Sequence, residues 1–306
     1  MFKGLSFCKI NLKVIHGFGR GGGEAPAPIR YYVVMRSLII ALFVLGLMTT
    51  LVNASSVAQP ENLVVTITQP LPEIKPIEAV APQVSAKAYG VFDMETGELL
   101  LSQAADEELP IASVTKLFTA AEVLREAESL DDTITITAND VATEGRAGKL
   151  EVGQEYQQHE LLFPLLLESS NDAASALERN LDSIPLAGHE LADGSGLSSK
   201  NRASVKQLAN EVKNLYATMP HLFDITTLSQ HMGEYTGWVN NSPVKDMEGY
   251  KGGKHGYTEA AGRTLVAIFA EPTLNNREFG YVILGSDDIK ADTKNLREAV
   301  QNSARF

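Results

Sequence analysis

The stretch Ile111-Ala112-Ser113-Val114-Thr115-Lys116-Leu117-Phe118-Thr119-Ala120-Ala121 sets one lysine into an otherwise uncharged run. Val114, Leu117, Phe118, Ala121 and Leu124 mark one apolar face, and Ala112, Ala120 and Val123 keep much of the remainder apolar. The spacing predicts a helix over 112–128, central in the fold and buried on most sides. Ser113 and Lys116 stand three residues apart and project from one side of such a helix. A lysine head held there loses water, its pKa falls, and the neutral amine can take the proton of the serine hydroxyl. The spacing alone leaves a second reading open, in which Ser113 is an ordinary first-turn residue and Lys116 extends its stem to put the ammonium in water.

Around this helix the chain has room for one sizeable core. It is 306 residues long with 44% hydrophobic and 21% charged content, which predicts one main globular domain. A net charge of −12 argues against generic attraction to nucleic acid or anionic lipid. The single cysteine, Cys8, excludes an intramolecular disulfide and a cysteine cage or nucleophile elsewhere. His16, His159, His189, His221, His231 and His255 form no pair at metal-binding spacing, so nothing points to a metal enzyme.

Organisation follows composition. Residues 1–34 are basic and Gly-rich without a sustained period, and read as disordered or as an extension upstream of the true start. Met35-Arg36-Ser37, then the uncharged run Leu38 to Val52 and the small-residue site Val52-Asn53-Ala54, reads over 35–54 as a signal peptide or a membrane anchor. Residues 55–85 carry Pro60, Pro70, Pro72, Pro76 and Pro82 and read as an extended linker. The globular domain is expected over 86–306. It opens with two apolar runs flanking Met94-Glu95-Thr96-Gly97, which read as a hairpin. A short strand is expected at Thr133 to Thr137, helical segments at Leu161 to Leu177 and Ser204 to Tyr216, strands at Arg263 to Ala270 and Phe279 to Ser286, and a closing helix at Lys290 to Asn302. This order predicts an α/β fold of the α+β type, with a mostly antiparallel sheet flanked by helices and a helical subdomain.

Three elements then stand in a fixed order. Pro110-Ile111-Ala112-Ser113-Val114-Thr115-Lys116 is an SxxK element, Ser169-Ser170-Asn171-Asp172-Ala173-Ala174 an SxN element, and Lys254-His255-Gly256-Tyr257-Thr258 with Ala261-Gly262 a KTG-like element. A lone SxN carries little information, because such tripeptides often cap helices. The set, together with Ala192-Asp193-Gly194-Ser195-Gly196-Leu197-Ser198-Ser199-Lys200-Asn201-Arg202, resembles the low-molecular-mass D-alanyl-D-alanine carboxypeptidases, serine peptidase family S11, over roughly residues 86–290.

The resemblance implies a β-lactamase/transpeptidase-like fold and a serine D,D-peptidase that trims peptidoglycan stem peptides through an acyl-enzyme. It implies Ser113 as nucleophile, Lys116 as acylation base, Ser169 as proton relay and Asn171 as the group orienting Lys116 and the substrate amide. Lys254, His255, Gly256, Tyr257 and Thr258 would bind substrate, with Lys254 facing its free carboxylate and helping to keep Lys116 deprotonated. The oxyanion would lie between the N–H groups of Ser113 and Tyr257. No metal or organic cofactor is implied. Partners would be the stem peptide and, as acylating inhibitors, β-lactam antibiotics; no nucleic acid is expected, and a membrane only through the N-terminal apolar segment. The protein would be exported to the cell envelope, at the outer face of the cytoplasmic membrane or in the periplasm or wall.

Two departures fall on the carboxylate-binding side. His255 stands where the family has Thr or Ser; its imidazole donates a hydrogen bond and titrates near ~6.5 when unperturbed. Asp287-Asp288-Ile289-Lys290 stands where the family commonly offers an arginine, leaving Lys290 or Arg263 as substitutes. Both departures weaken the preference for a free terminal carboxylate, which leaves a D,D-endopeptidase acting on cross-links as an alternative activity; a penicillin- or peptidoglycan-binding protein without turnover, its geometry blocked by His255, is another. A class A β-lactamase fits less well: its deacylating Glu is followed four residues later by Asn, whereas Glu168, Glu178 and Glu190 are followed there by Asp172, Asp182 and Gly194.

Overall fold

The computed structural model describes residues 82–303, apart from 127, 128, 143, 146 and 147. The expected extension over 1–34, the signal or anchor over 35–54 and most of the linker over 55–85 lie outside the described residues. Among the described residues, no helix is long and apolar enough to cross a membrane.

Five strands form the central sheet: β1 (Ala88–Asp93), β2 (Leu99–Gln103), β3 (Tyr250–Thr258), β4 (Gly262–Glu271) and β5 (Arg277–Ser286). Their spatial order is β3-β4-β5-β1-β2, and every pairing is antiparallel. The first and last parts of the domain therefore meet at the β1–β5 ladder, where Ala88 opposes Leu284 and Asp93 opposes Phe279.

Alternation along these strands divides the core in two. Ala88, Phe92, Val266, Ile268, Val282 and Leu284 face a cluster that includes Val114, Leu117, Val205, Leu208 and Phe223. Tyr89, Val91, Leu265, Phe269, Tyr281 and Ile283 face the opposite cluster with Leu296 and Val300. The helices are α1 (Thr115–Glu126), α2 (Gln158–Phe163), α3 (Asn171–Glu178), α4 (Val205–Thr218), α5 (Pro220–Thr227) and α6 (Ile289–Ser303). The first cluster takes in residues of α1 to α5, while α6 packs on the other face together with Val244 and Leu274.

Two local expectations are corrected. The helix expected from Ala112 opens instead as a 3₁₀ turn over Ala112–Val114 before α1 begins at Thr115. Ala112 has a φ of +49°, so the chain turns sharply just before Ser113. The continuous helix expected over Leu161 to Leu177 is broken: α2 runs into a π-helical turn at Pro164–Glu168, Ser169 adopts the left-handed conformation, and α3 restarts at Asn171. Tertiary partners hold the break open. Asn241 donates its backbone N–H to Leu167 O at 3.1 Å and its side-chain amide to Glu168 O at 2.8 Å, taking carbonyls that a longer helix would use. The Ser170 hydroxyl then caps α3 by accepting from Ala173 N–H at 3.0 Å.

Candidate active site

The nucleophile candidate sits where helix and sheet touch. Ile111, just before the 3₁₀ turn, donates to Asn201 O at 2.9 Å and accepts from the Thr264 hydroxyl of β4 at 2.8 Å. A Cβ on Gly256 of β3 would run into the backbone nitrogen of Ser113, and at 3.0 Å into the Cβ of Ala112. Strand and nucleophile turn therefore approach as closely as they do only because position 256 has no side chain.

Lys116 is wholly buried in α1. Its Nζ donates to Asn171 Oδ1 at 2.7 Å and to Ser195 O at 2.6 Å, and lies 3.1 Å from Ser113 Oγ. Burial brings its pKa down to about 7, against a smaller opposing pull from the negative charge of Asp193. A neutral amine has two N–H groups and one lone pair. The two strong acceptors take the N–H groups, which leaves the lone pair for the Ser113 hydroxyl. Desolvation is thus the larger cause at Lys116, and the charge that opposes it is that of Asp193.

The remaining expected residues are gathered from three elements. Asn171, at the start of α3, is 4% exposed and donates its Nδ2 to Glu144 O at 2.7 Å, which fixes its carbonyl towards Lys116. Ser169 occupies the left-handed residue between the π turn and α3, and its hydroxyl accepts from Lys254 Nζ at 2.9 Å. Lys254, 1% exposed on β3, also donates to His255 O at 2.7 Å. His255 is half-buried and opposite Leu265. Tyr257 points its ring outward at 60% exposure, with the Arg263 guanidinium 5.3 Å from the ring centroid. Thr258 accepts from Ala261 N–H at 3.1 Å, so its hydroxyl closes the β3–β4 turn. Lys290 is exposed at the start of α6.

Sequence reading gave no role to the carbonyls of Ser195 and Glu144, because any residue type supplies a carbonyl. The loop that carries Ser195 was visible as Asp-Gly-Ser-Gly, a turn-rich run. Gly196 in that loop has a φ of +83°, and a Cβ there would strike Ala112 O.

Fold and serine–lysine pair together define a serine peptidase of the penicillin-binding type. A family model for D-alanyl-D-alanine carboxypeptidases, peptidase family S11, matches residues 75–183. A D-alanyl-D-alanine endopeptidase of Haemophilus influenzae is 30% identical over 204 residues, covering 60% of this chain and 70% of that protein. One from Pseudomonas aeruginosa is 30% identical over 147 residues, covering 48% of this chain, and the match spans only 43% of that relative's length. The crystal structure of a D-alanyl-D-alanine carboxypeptidase from Mycobacterium tuberculosis superposes with a TM-score of 0.65 at 23% identity, over 74% of this chain and 95% of that one. The chain belongs to the D-alanyl-D-alanine carboxypeptidase family of serine peptidases.

Proposed function

We propose that the protein removes the terminal D-alanine from peptidoglycan stem peptides through an acyl-enzyme on Ser113. The observation that carries this is the fully buried Lys116 amine, 3.1 Å from Ser113 Oγ and held by Asn171 and Ser195 O. Lys116 takes the hydroxyl proton as Ser113 Oγ attacks the penultimate D-alanine carbonyl. The oxyanion forms between the backbone N–H groups of Ser113 and Tyr257; in support, the Ser113 nitrogen lies against Gly256, the residue before Tyr257 in β3. Ser169, tied to Lys254 at 2.9 Å, passes a proton to the leaving amine, and D-alanine departs. Water then attacks the ester, releasing the shortened peptide and restoring Ser113. Lys254 is the cation for the substrate carboxylate, and β-lactams acylate Ser113 by the same attack. The substrate places the protein in the cell envelope, with export supported by the signal-like residues 35–54.

A specific observation favours a second activity, cleavage of D,D cross-links. His255 puts an imidazole where the family has a small hydroxyl beside the carboxylate cation, and the relatives from Pseudomonas aeruginosa and Haemophilus influenzae are named D-alanyl-D-alanine endopeptidases. The test is labelling of the protein with fluorescent penicillin beside Ser113→Ala, followed by digestion of uncross-linked and cross-linked muropeptides. Labelling lost in Ser113→Ala with D-alanine released from uncross-linked peptide is the expected result. His255→Thr is expected to raise D-alanine release relative to cross-link cleavage. An unlabelled wild-type protein would refute the acyl-enzyme itself.

A further inference from the structure

The loop that presents Ser195 to Lys116 is built around one carboxylate. Asp193 Oδ1 accepts from the backbone N–H groups of Ser195 at 2.9 Å, Gly196 at 2.6 Å and Leu197 at 3.2 Å, and from the Ser195 hydroxyl at 2.7 Å. Its Oδ2 accepts from Ser198 N–H at 2.8 Å. Five donors thus converge on one side chain and curl residues 195–198 around it. The stem of the loop is fixed separately. Asn201, wholly buried, accepts from Ala192 N–H at 2.7 Å and donates to Asp193 O at 2.7 Å. Gly194 is gripped from two helices, donating to Glu178 of α3 at 2.9 Å and accepting from Thr119 of α1 at 2.8 Å.

The Ser195 carbonyl is the backbone group that this arrangement aims at the serine–lysine pair. It stands 2.6 Å from Lys116 Nζ and 3.4 Å from Ser113 Oγ. We infer that Asp193 is a positioning residue for the acylation step: by holding the 195–198 turn it fixes the Ser195 carbonyl, and that carbonyl sets the direction in which the Lys116 lone pair meets Ser113. The inference rests on Lys116 acting as the base towards Ser113. A carbonyl free to rotate away would leave one amine N–H without its acceptor, and the lone pair would lose its fixed aim.

The same carboxylate is also a fixed charge. The charged groups around it are Glu178 on α3, which hydrogen-bonds the adjoining Gly194, and Lys116 on α1; Lys254 on β3 is bonded instead to Ser169. Burial would raise the Asp193 carboxyl, but the bonds from Ser195, Ser198 and Gly196 outweigh it and hold the group below its usual range. Asp193 is therefore ionised throughout the range in which Lys116 titrates. Its negative charge favours the ammonium form of Lys116, so removing that charge extends the neutral amine to lower pH.

The experiment measures the Ser113 acylation rate with a chromogenic β-lactam from pH 5 to 9, on full-length wild type, Asp193→Asn and Asp193→Ala, with thermal melting alongside. Asp193→Asn keeps Oδ1 as an acceptor and loses the charge; its acid limb is expected at lower pH than that of wild type. Asp193→Ala frees the turn and is expected to acylate about tenfold or more slowly at the plateau while still melting cooperatively. An Asp193→Asn limb that coincides with wild type, or a folded Asp193→Ala within about twofold of wild type, overturns the inference. Should Asp193→Ala fail to fold, the limb of Asp193→Asn decides alone. A wild type that is not acylated refutes the Ser113/Lys116 chemistry instead, so the two failures are distinct.

Discussion

At Lys116, water has been exchanged for two fixed acceptors, and the chemistry and its pH dependence both follow. With a pKa of about 7, the amine is neutral above that pH and protonated below it. Acylation of Ser113 is expected to hold a plateau above about pH 7 and to fall roughly tenfold per unit beneath it. Stopped-flow acylation across pH checks this, and a rate flat down to pH 5 would exclude Lys116 as the base. The same burial has a cost in stability. The unfolded lysine keeps its proton up to about 10.5 and the folded one only up to about 7, so stability declines as pH falls through that window and levels off below it. Ser113, Lys116, Asn171 and Lys254 were legible as residue types at set spacings. The Ser195 carbonyl was not, since a backbone oxygen leaves no mark on the identity of its residue. Nor did composition show that Asp193 gathers five donors, because that depends on a turn closing around it.

At the scale of elements, α6 is pinned to the sheet by a buried charge cluster. Glu271 of β4, wholly buried, accepts from Arg297 Nε at 2.7 Å and Nη2 at 3.0 Å, from Gln301 at 2.6 Å and from the Tyr281 hydroxyl at 2.8 Å. The guanidinium also lies 4.3 Å from the centre of the Phe269 ring. Glu271→Ala leaves this guanidinium without its counter-charge and is expected to cost about 3–5 kcal/mol in urea unfolding. Acylation of the protein that remains folded should hardly change, because the cluster lies with α6 on the sheet face away from α1. A loss below ~1 kcal/mol would mean that water reaches the arginine and replaces the pair. The closing helix itself was readable from Leu296, Ala299 and Val300 at helical spacing. The break at Pro164–Ser169 was not, because an unbroken apolar run reads as one helix until Asn241, remote in sequence, takes up its carbonyls.

Across the whole molecule, the two ends of the domain hold each other. Asp292 of α6 accepts from Ser85 N–H at 2.8 Å, from the Ser85 hydroxyl at 2.8 Å and from the Ser286 hydroxyl at 2.6 Å. Asn295 adds a bond to Gln83 O at 2.6 Å. The segment just before β1 is thus fastened to the last helix, extending the closure made by the β1–β5 ladder. Asp292→Ala is expected to lower stability by about 1.5–3 kcal/mol, the usual worth of hydrogen bonds to a charged group. Removing residues up to 86 from the N-terminal side should produce a similar loss in thermal melting. If both variants melt as wild type does, the sheet closes without the clamp.

The amino-acid sequence by itself determined the class of fold, the order of the three motifs and the identity of the serine–lysine pair. These rest on local periodicity and on residue types at fixed spacing, which no packing is needed to read. Tertiary structure decided whether Lys116 reaches water or stays dry, since the spacing allowed both. Lys116 is wholly buried, Leu161 and Leu177 lie in the core cluster that takes in α1, and Asn171 and Ser195 O stand where water would have been. Desolvation is a property of what surrounds a group, so only the folded chain could choose between a snorkelling lysine and a buried amine.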